Sequence, residues 1–275
     1  MSELFGKEYA KHAIKSNVVK EEFGWEVPYE TVPIPSRGVI YNPETDLYGL
    51  EQVQIKAMTA KEEDILTSRA LIREGTVITH LIKSSVVNKN IDPTQMITGD
   101  RNALMVSIRI TGYGPEYPYT SFCQNCDAKN NNTAQLDSLQ IKRLPIEPVE
   151  PGKNEFEFTL PVTKKKVTFK FLTDKDEKDR DAAAKFLAKH TDSKAENKVT
   201  SFLEYSILSI DGIRDKNKIK HFVMHMPAFD SKKLRKFIQQ NEPGIDMSHE
   251  YECGNCGHLN KASLPITPEF FWPDT

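Results

Sequence analysis

The sequence lacks the features that would place it in several common functional classes. It contains no apolar run long enough to cross a bilayer, and the opening stretch MSELFGKEYAKHAIK has neither the hydrophobic core nor the cleavage site of a secretory signal. The formal net charge is only −2, so no overall field attracts nucleic acid or an anionic membrane. We therefore expect a cytosolic protein that binds no membrane and has no general affinity for nucleic acid.

Motifs for catalysis and nucleotide binding are also missing. The glycine-rich stretch at Gly112 is not followed by the Gly-Lys-Ser/Thr of a phosphate-binding loop. His221 and His225 have the spacing of metal ligands on a helix, but Phe222 stands where a metalloprotease has its glutamate. Because no nucleophile is paired with a base either, we predict that the protein is not an enzyme.

Cysteine is scarce, but its spacing is informative. The chain has four cysteines in two pairs, Cys123 with Cys126 and Cys253 with Cys256, and two residues separate the members of each pair. In a reducing cytosol, such pairs indicate metal ligands or redox centres rather than structural disulfides. Since four thiolates are a common ligand set of structural zinc, we predict that the two pairs hold one Zn²⁺ ion.

Other uses of the cysteines stay open. A thioredoxin-like oxidoreductase requires the first cysteine at a helix N-terminus, whereas the stretches CDAKNNN and CGHLN are typical of turns. Haem attachment requires a histidine directly after the second cysteine, where Gly257 stands. The alternatives that stay open are a zinc ribbon that binds nucleic acid, which salt-dependent retention of DNA or RNA would reveal, two independent cysteine sites, and a CxxC oxidoreductase, which would have an accessible thiolate that titrates below neutral pH.

The second half of the sequence repeats the first. MITGDRNALMVSI aligns with MPAFDSKKLRKFI, and the same offset of 130 positions brings Cys123 onto Cys253. Further upstream, VQIKAMTAKEEDIL aligns with VTFKFLTDKDEKDR, which places Thr59 over Thr173. In both copies an alternating strand leads into a threonine suited to cap a helix, and in the first copy Glu62 completes a capping box.

We therefore predict an α+β fold with an internally duplicated strand-plus-helices unit. Each copy ends in a CxxC turn, and the two copies join at a zinc-ribbon-like site of four cysteines. The predicted domains are an N-terminal arm over 1–32, a first repeat over 33–145, a second repeat over 146–266 and an aromatic C-terminal tail over 267–275.

Two stretches of the first repeat resemble a known family. VPIPSRGVIYNPETDLYGLEQVQIKAMTAKEEDILTS combines a Pro-Ser-Arg-Gly turn with a tyrosine, and ITGDRNALMVSIRITGYGPEYPY precedes the first cysteine pair. Together, over Pro33 to Cys126, they resemble the baseplate hub and hub-assembly proteins of T-even-like contractile-tailed bacteriophages. The resemblance implies a non-enzymatic structural or assembly protein of the central hub, which binds other baseplate, hub or tail proteins.

The same resemblance implies where the protein works. It is expected in the host cytoplasm during assembly and in the tail baseplate of the virion. Whether it stays in the finished particle or acts as an assembly chaperone is left open, as is whether several copies form a homo-oligomer.

Residues that match the family's motifs are the candidates for partner binding. They are Arg37, Tyr41, Arg101, Arg109 and Tyr113. A structural interpretation competes with this one, because Gly38 suits a tight turn and Asp100 can cap a helix. The stretch PEFFWPDT adds Phe270, Phe271 and Trp272, since aromatic residues are enriched at interfaces. Folding of these rings back onto the chain's own core is an equal alternative.

Overall fold

A computed structural model of the chain describes residues 3–4, 18–20, 26–190, 197–264 and 268–271. Within these ranges the fold is mixed α+β, with small antiparallel sheets, which confirms the predicted class. The described helices include none with the length and apolar character that crossing a membrane requires.

The described strands pair only in antiparallel fashion. The sheets have the strand orders β1-β7-β11, β2-β3-β4 and β8-β9-β10, and two further hairpins pair β5 with β6 and β12 with β13. The strands are β1 Glu3–Leu4, β2 Val18–Lys20, β3 Glu26–Pro33, β4 Gln52–Lys56, β5 Glu116–Phe122, β6 Lys129–Gln135, β7 Gln140–Lys142, β8 Phe156–Thr159, β9 Lys166–Phe169, β10 Ile207–Ile210, β11 Gly244–Asp246, β12 Ser248–Glu252 and β13 Leu259–Ser263.

The helices lie between these hairpins in the chain. The described α-helices are α1 Ala60–Thr67, α2 Arg69–Glu74, α3 Val77–Ser85, α4 Thr98–Tyr113, α5 Asp174–His190, α6 Lys198–Ser206, α7 Lys216–His225 and α8 Ala228–Asn241. Short 3₁₀ turns cover Pro93–Gln95, Leu136–Ser138 and Pro268–Phe271. Helix α4 carries the longest run of buried residues, and it is the centre of the core.

In the first half, the β3–β4 hairpin leads directly into α1. Glu30 of β3 faces Ile55 of β4 across the hairpin. The backbone amide of Thr59 donates to Glu62 Oε2 at 3.1 Å, which confirms the capping interaction expected from the sequence. After α3 the chain returns beside β4, where Val86 forms a backbone bridge to Ile55.

The second half also has antiparallel strands that lead into a capped helix, although strand β10 and helix α7 are additional elements there. Phe156 of β8 and Ile207 of β10 both pair with Phe169 of the central strand β9. The chain then enters α5, where the backbone amide of Thr173 donates to Asp176 Oδ2 at 3.0 Å. Each half thus contains an antiparallel pair, a capped helix and a returning segment that pairs with the strand before that helix.

Helices α4 and α8 each carry a fully buried aspartate in the first turn that reaches a distant turn. Asp100 accepts hydrogen bonds from the Ser36 amide at 2.9 Å and from the Tyr41 hydroxyl at 2.6 Å. Asp230 accepts one from the Val162 amide at 2.7 Å. The carboxylates therefore hold two loops in place, a role beyond the stabilisation of a helix start.

The two halves meet along α4. The Arg101 guanidinium forms a close ion pair with Asp174, the first residue of α5. Gly99 packs so tightly on the second half that a Cβ atom at this position would lie 1.8 Å from the Pro243 carbonyl oxygen. Only glycine fits this contact without displacing backbone atoms.

The three predicted domain boundaries differ in how they relate to the observed strands. Strand β3 crosses the boundary between residues 32 and 33, so part of the predicted arm pairs with β4 in the first-half sheet. The boundary between residues 145 and 146 lies in the segment that joins β7 to β8. The boundary between residues 266 and 267 lies outside the described residues.

Candidate metal centre

The first cysteine pair lies in the turn of the β5–β6 hairpin. The register runs from Glu116 opposite Gln135 to Phe122 opposite Lys129, so the strands bring the two ends of the turn together. The Cys123 amide donates to the Ala128 carbonyl at 3.0 Å, and the Asp127 amide donates to the Cys123 carbonyl at 2.9 Å. These bonds curl the backbone so that both cysteines belong to one tight turn.

The second cysteine pair lies in the turn of the β12–β13 hairpin and repeats this geometry. The Cys253 amide donates to the His258 carbonyl and the Gly257 amide donates to the Cys253 carbonyl, both at 2.9 Å. Gly257 has φ of +69° and its counterpart Asp127 has φ of +56°, a region that glycine and aspartate enter at low cost.

The two hairpins bring all four sulfur atoms together, as the sequence predicts. The Sγ atoms lie within 4.8 Å of one another. Two pairs that cross between the hairpins, Cys123 with Cys256 and Cys126 with Cys253, are each separated by 3.7 Å. This distance is too long for a disulfide, whereas a tetrahedral ion with metal–sulfur bonds of about 2.3 Å holds its sulfur atoms about 3.8 Å apart.

The environment of the thiols favours ligation. Cys123 and Cys253 are buried, Cys126 is half-buried and Cys256 is exposed, so the cluster opens to solvent on one side. The backbone amide of Asn255 lowers the pKa of Cys253, which promotes the thiolate that a metal binds. At Cys256 the His258 amide is outweighed by the neighbouring thiols and burial together, which raise the pKa. Each pair follows a strand, unlike the helix N-terminus that activates a thioredoxin-like cysteine.

The other predicted metal-ligand spacing does not assemble a comparable site. The rings of His221 and His225 lie 4.4 Å apart at the surface of α7, and His225 Nδ1 contacts the His221 carbonyl. Among the described residues, the four cysteines form the only group of three or more metal-ligating side chains close enough to share an ion.

Three of the predicted partner-binding residues make interior contacts instead. The Tyr41 hydroxyl is committed to Asp100 and the Arg101 guanidinium to Asp174. Arg109 is 1% exposed, and it donates to the carbonyls of Gly114 at 2.8 Å and Glu116 at 3.1 Å. Their burial removes Tyr41, Arg101 and Arg109 from the surface that a partner can reach.

Two of the three aromatic residues predicted to bind a partner near the C-terminus are also buried. Phe270 and Phe271 are fully buried, which agrees with the alternative that they fold back onto the core and not with direct partner binding. Arg109 Nε donates to the Phe270 carbonyl at 3.1 Å, and the Phe270 ring lies 5.0 Å from the Tyr117 ring. Trp272 lies outside the described residues.

The two remaining candidates stay accessible, and their role in partner binding is still a prediction. Arg37 is exposed at the tip of its turn, with φ of +54°. Tyr113 is half-buried at the end of α4, and its hydroxyl donates to Glu63 at 2.7 Å.

The fold and the site define a class, an α+β protein with a candidate four-cysteine metal centre between two antiparallel hairpins. A family model described as T4 bacteriophage base plate protein matches residues 39–272. The chain therefore belongs to this family, and the resemblance seen over Pro33 to Cys126 is confirmed at the level of a phage baseplate protein. Membership indicates a baseplate structural protein of the phage tail that interacts with other tail proteins. No curated protein and no solved structure is significantly similar to the chain.

Proposed function

We propose that the protein is a non-enzymatic structural or assembly component of the central hub of a contractile-tail baseplate, and that zinc clasps its two halves. One observation carries the proposal: a chain of the baseplate family gathers four thiols from two distant hairpins within 4.8 Å of one another. An ion with two ligands from each half fixes their relative orientation. That property suits a scaffold that presents surfaces to other proteins.

Zinc is the ion that this ligand set supports best. Soft thiolates in tetrahedral geometry select zinc or iron, and zinc is the usual structural ion because it has no redox chemistry. The sulfur separations of 3.7 Å across the hairpins match such a site. A site of this kind adds on the order of 10 kcal/mol to folding in small zinc domains.

We also propose that the chain arose by internal duplication and that the halves are related by a pseudo-twofold axis through the sulfur cluster. The paired caps at Thr59 and Thr173 support this, as do the paired buried aspartates Asp100 and Asp230. The crossed sulfur contacts support it too, because exchanging the hairpins turns each contact into the other.

A lysine-rich surface of the second half is our candidate for contacts with other tail proteins. This lysine face consists of Phe229, Lys232, Lys233 and Lys236 on one side of α8, with Val162 beside them in the β8–β9 turn. Phe229 is 52% exposed and Val162 53% exposed. Within the described residues neither Lys232 nor Lys236 has an ion pair, so charge complementarity favours an acidic protein surface. Lys233 Nζ covers the Phe229 ring at 5.2 Å, which opposes base stacking on that ring.

Metal content per chain tests the clasp. Native mass spectrometry of untagged protein should show one zinc per chain, lost equally in Cys123→Ser and in Cys253→Ser and kept in the control Ser263→Ala. The thiols should resist alkylation until a chelator is added. Absence of metal, or metal that survives in one of the two cysteine variants, would contradict a site shared by both halves.

Particle incorporation tests the hub role. In phage complemented with this chain, a structural subunit is found at fixed stoichiometry in purified virions, whereas an assembly chaperone is needed for baseplates and is absent from them. Normal baseplates without the chain would exclude both roles. The double variant Lys232→Glu/Lys236→Glu should impair assembly without changing metal content, while Lys61→Glu/Lys83→Glu should leave assembly normal. Salt-dependent retention of DNA that the first double variant abolishes would instead favour nucleic-acid binding.

A further inference from the structure

Four asparagine side chains surround the sulfur cluster, one for each cysteine. Every Nδ2 atom faces a different Sγ atom at hydrogen-bonding distance. The contacts are Asn260 to Cys123 at 3.5 Å, Asn130 to Cys253 at 3.6 Å, Asn255 to Cys126 at 3.6 Å and Asn125 to Cys256 at 3.7 Å.

Every one of these contacts crosses from one hairpin to the other. Asn125 and Asn130 belong to the β5–β6 hairpin and donate to sulfurs of the β12–β13 hairpin, while Asn255 and Asn260 donate in the opposite direction. The offset of 130 residues that relates the cysteines also relates Asn125 to Asn255 and Asn130 to Asn260. The arrangement is therefore reciprocal about the cluster.

Asn130 and Asn260 do more than contact sulfur. Asn130 Oδ1 accepts from the Gly254 amide at 3.0 Å, and Asn260 Oδ1 accepts from the Gln124 amide at 2.9 Å. Each asparagine side chain thus binds the backbone of the residue that directly follows the first cysteine of the opposite hairpin. We call Asn130 and Asn260 the inner pair and the two turn asparagines, Asn125 and Asn255, the outer pair.

The orientation of the inner pair is fixed by local bonds. Asn130 Nδ2 also donates to the Ala128 carbonyl at 2.8 Å, and Asn260 Nδ2 donates to the His258 carbonyl at the same distance. With the side-chain oxygen and nitrogen both engaged, neither amide can rotate away without losing several hydrogen bonds. Asn260 is 4% exposed, so water does not readily replace those bonds.

The chemistry of a four-thiolate site explains the need for such donors. Four thiolates around a divalent cation leave a net charge of −2, which is costly to hold in a partly buried place. Hydrogen bonds from amide donors disperse that charge over the sulfur atoms, and groups that orient ligands commonly change metal affinity 10- to 100-fold.

We propose that the four asparagines form a second layer around the metal centre, in which the inner pair positions the two hairpins and both pairs stabilise the thiolates. The proposal rests on the metal site proposed above. Asn130 and Asn260 are positioning residues, since they act through the cysteines and the turn backbone. The outer pair adds one amide donor to each of the two more accessible sulfurs.

The test compares asparagine variants of the full-length zinc-loaded protein. Asn130→Ala and Asn260→Ala should each release zinc to a chromophoric chelator about 10- to 100-fold faster than the wild type, by similar factors. Asn132→Ala is the matched control, because Asn132 lies on the same strand as Asn130 and bonds Ser121 without contacting sulfur. It should release zinc at the wild-type rate.

Cobalt substitution gives a readout of the thiolates themselves, because a band that shifts at unchanged intensity shows an intact site with altered sulfur donors. In the cobalt-loaded protein, Asn125→Ala and Asn255→Ala should shift the sulfur-to-cobalt charge-transfer band, because each removes a donor to one thiolate. These outer variants also keep the test open if an inner variant fails to fold. Wild-type release rates and an unshifted band in the asparagine variants would overturn the proposal.

A failed metal site is distinguishable from a failed asparagine layer. If the wild type holds no metal, the zinc clasp is wrong and the second layer falls with it. If the wild type holds one ion and the asparagine variants hold it as tightly, the clasp stands and the second layer is wrong. A large effect in Asn130→Ala with none in Asn260→Ala would also contradict the reciprocal arrangement.

Discussion

Asp100 and Asp230 occupy equivalent positions in the two halves, but their surroundings shift their pKa values in opposite directions. Burial raises the pKa of Asp100 to about 6, although the Ser36 and Tyr41 hydroxyls and the Ser36 amide partly oppose it. Burial acts against the charge of Asp230 as well, but the backbone amides of Val162 and Thr163 outweigh it and lower its pKa. The same residue in the same place therefore carries a different electrostatic cost in each half.

The comparison extends to the position just before each aspartate. Gly99 in the first half faces the Pro243 backbone, whereas Phe229 in the second half is 52% exposed. Two equivalent helix starts thus face different surroundings, one against the other half and one towards solvent. Each half thus has a buried aspartate that bonds a distant turn, while the residues just before the two aspartates differ in exposure.

The largest difference between the halves should appear at this pair. Gly99→Ala should lower the free energy of unfolding by about 3 kcal/mol, because the new methyl group clashes with backbone atoms that cannot move aside. Phe229→Ala should change it by less than about 0.5 kcal/mol, as expected for an exposed side chain. Urea denaturation of both variants measures the contrast, and equal losses would show that the two positions are not differently packed.

The aspartates should show opposite pH dependence. The raised pKa of Asp100 means that its contribution to stability is greatest below the ordinary value of 3.8 and is lost as the pH rises through about 6. The lowered pKa of Asp230 means that its contribution is present above 3.8 and is lost as the pH falls.

Urea denaturation of Asp100→Asn and Asp230→Asn against the wild type, from about pH 2.5 to pH 7, tests these signs, because Asp230 titrates below 3.8 and Asp100 near 6. Relative to the wild type, Asp100→Asn should gain stability as the pH rises. Asp230→Asn should lose on the order of 2 kcal/mol at pH 7, because a neutral amide offers the Val162 and Thr163 amides fewer acceptors. Parallel pH profiles for the two variants would contradict the predicted electrostatic difference between the two aspartates.

The smallest difference between the halves is expected where they are most alike. Thr59→Ala and Thr173→Ala should each cost about 1 kcal/mol, since both threonines cap the helix that follows a strand, β4 in the first half and β9 in the second. Serine at either position should retain most of that stability. Thermal unfolding of both variants measures the two losses. A loss in only one of the variants would mean that the two caps are equivalent in sequence but contribute differently to stability.

Local patterns predicted the capped helix starts and the sulfur cluster because their information lies in short stretches. The threonine caps follow from spacing, and the fixed offset between the cysteine pairs predicted that four sulfurs meet. The asparagine layer carried a usable signal too, since Asn130 and Asn260 obey the same offset. What spacing alone could not supply is that each amide reaches the opposite hairpin.

The partner-binding residues were harder to predict, because exposure depends on contacts between distant segments. Tyr41 meets Asp100 across 59 positions, and Arg101 meets Asp174 across 73. A distinctive motif residue is equally compatible with a surface role and with such an interior role. Composition and periodicity do not separate the two, because polar residues buried by long-range hydrogen bonds look like surface residues in a sequence.

The hydrogen bond from Arg109 to the Phe270 carbonyl has a consequence for synthesis of the chain. The two residues are 161 positions apart, so the ribosome makes the whole second half before this guanidinium gains that acceptor. Until then, the nascent first half holds an arginine side chain whose destined interior site is incomplete. A baseplate protein built this way completes its fold only after translation of the Phe270 segment, so surfaces that need both halves form late in synthesis.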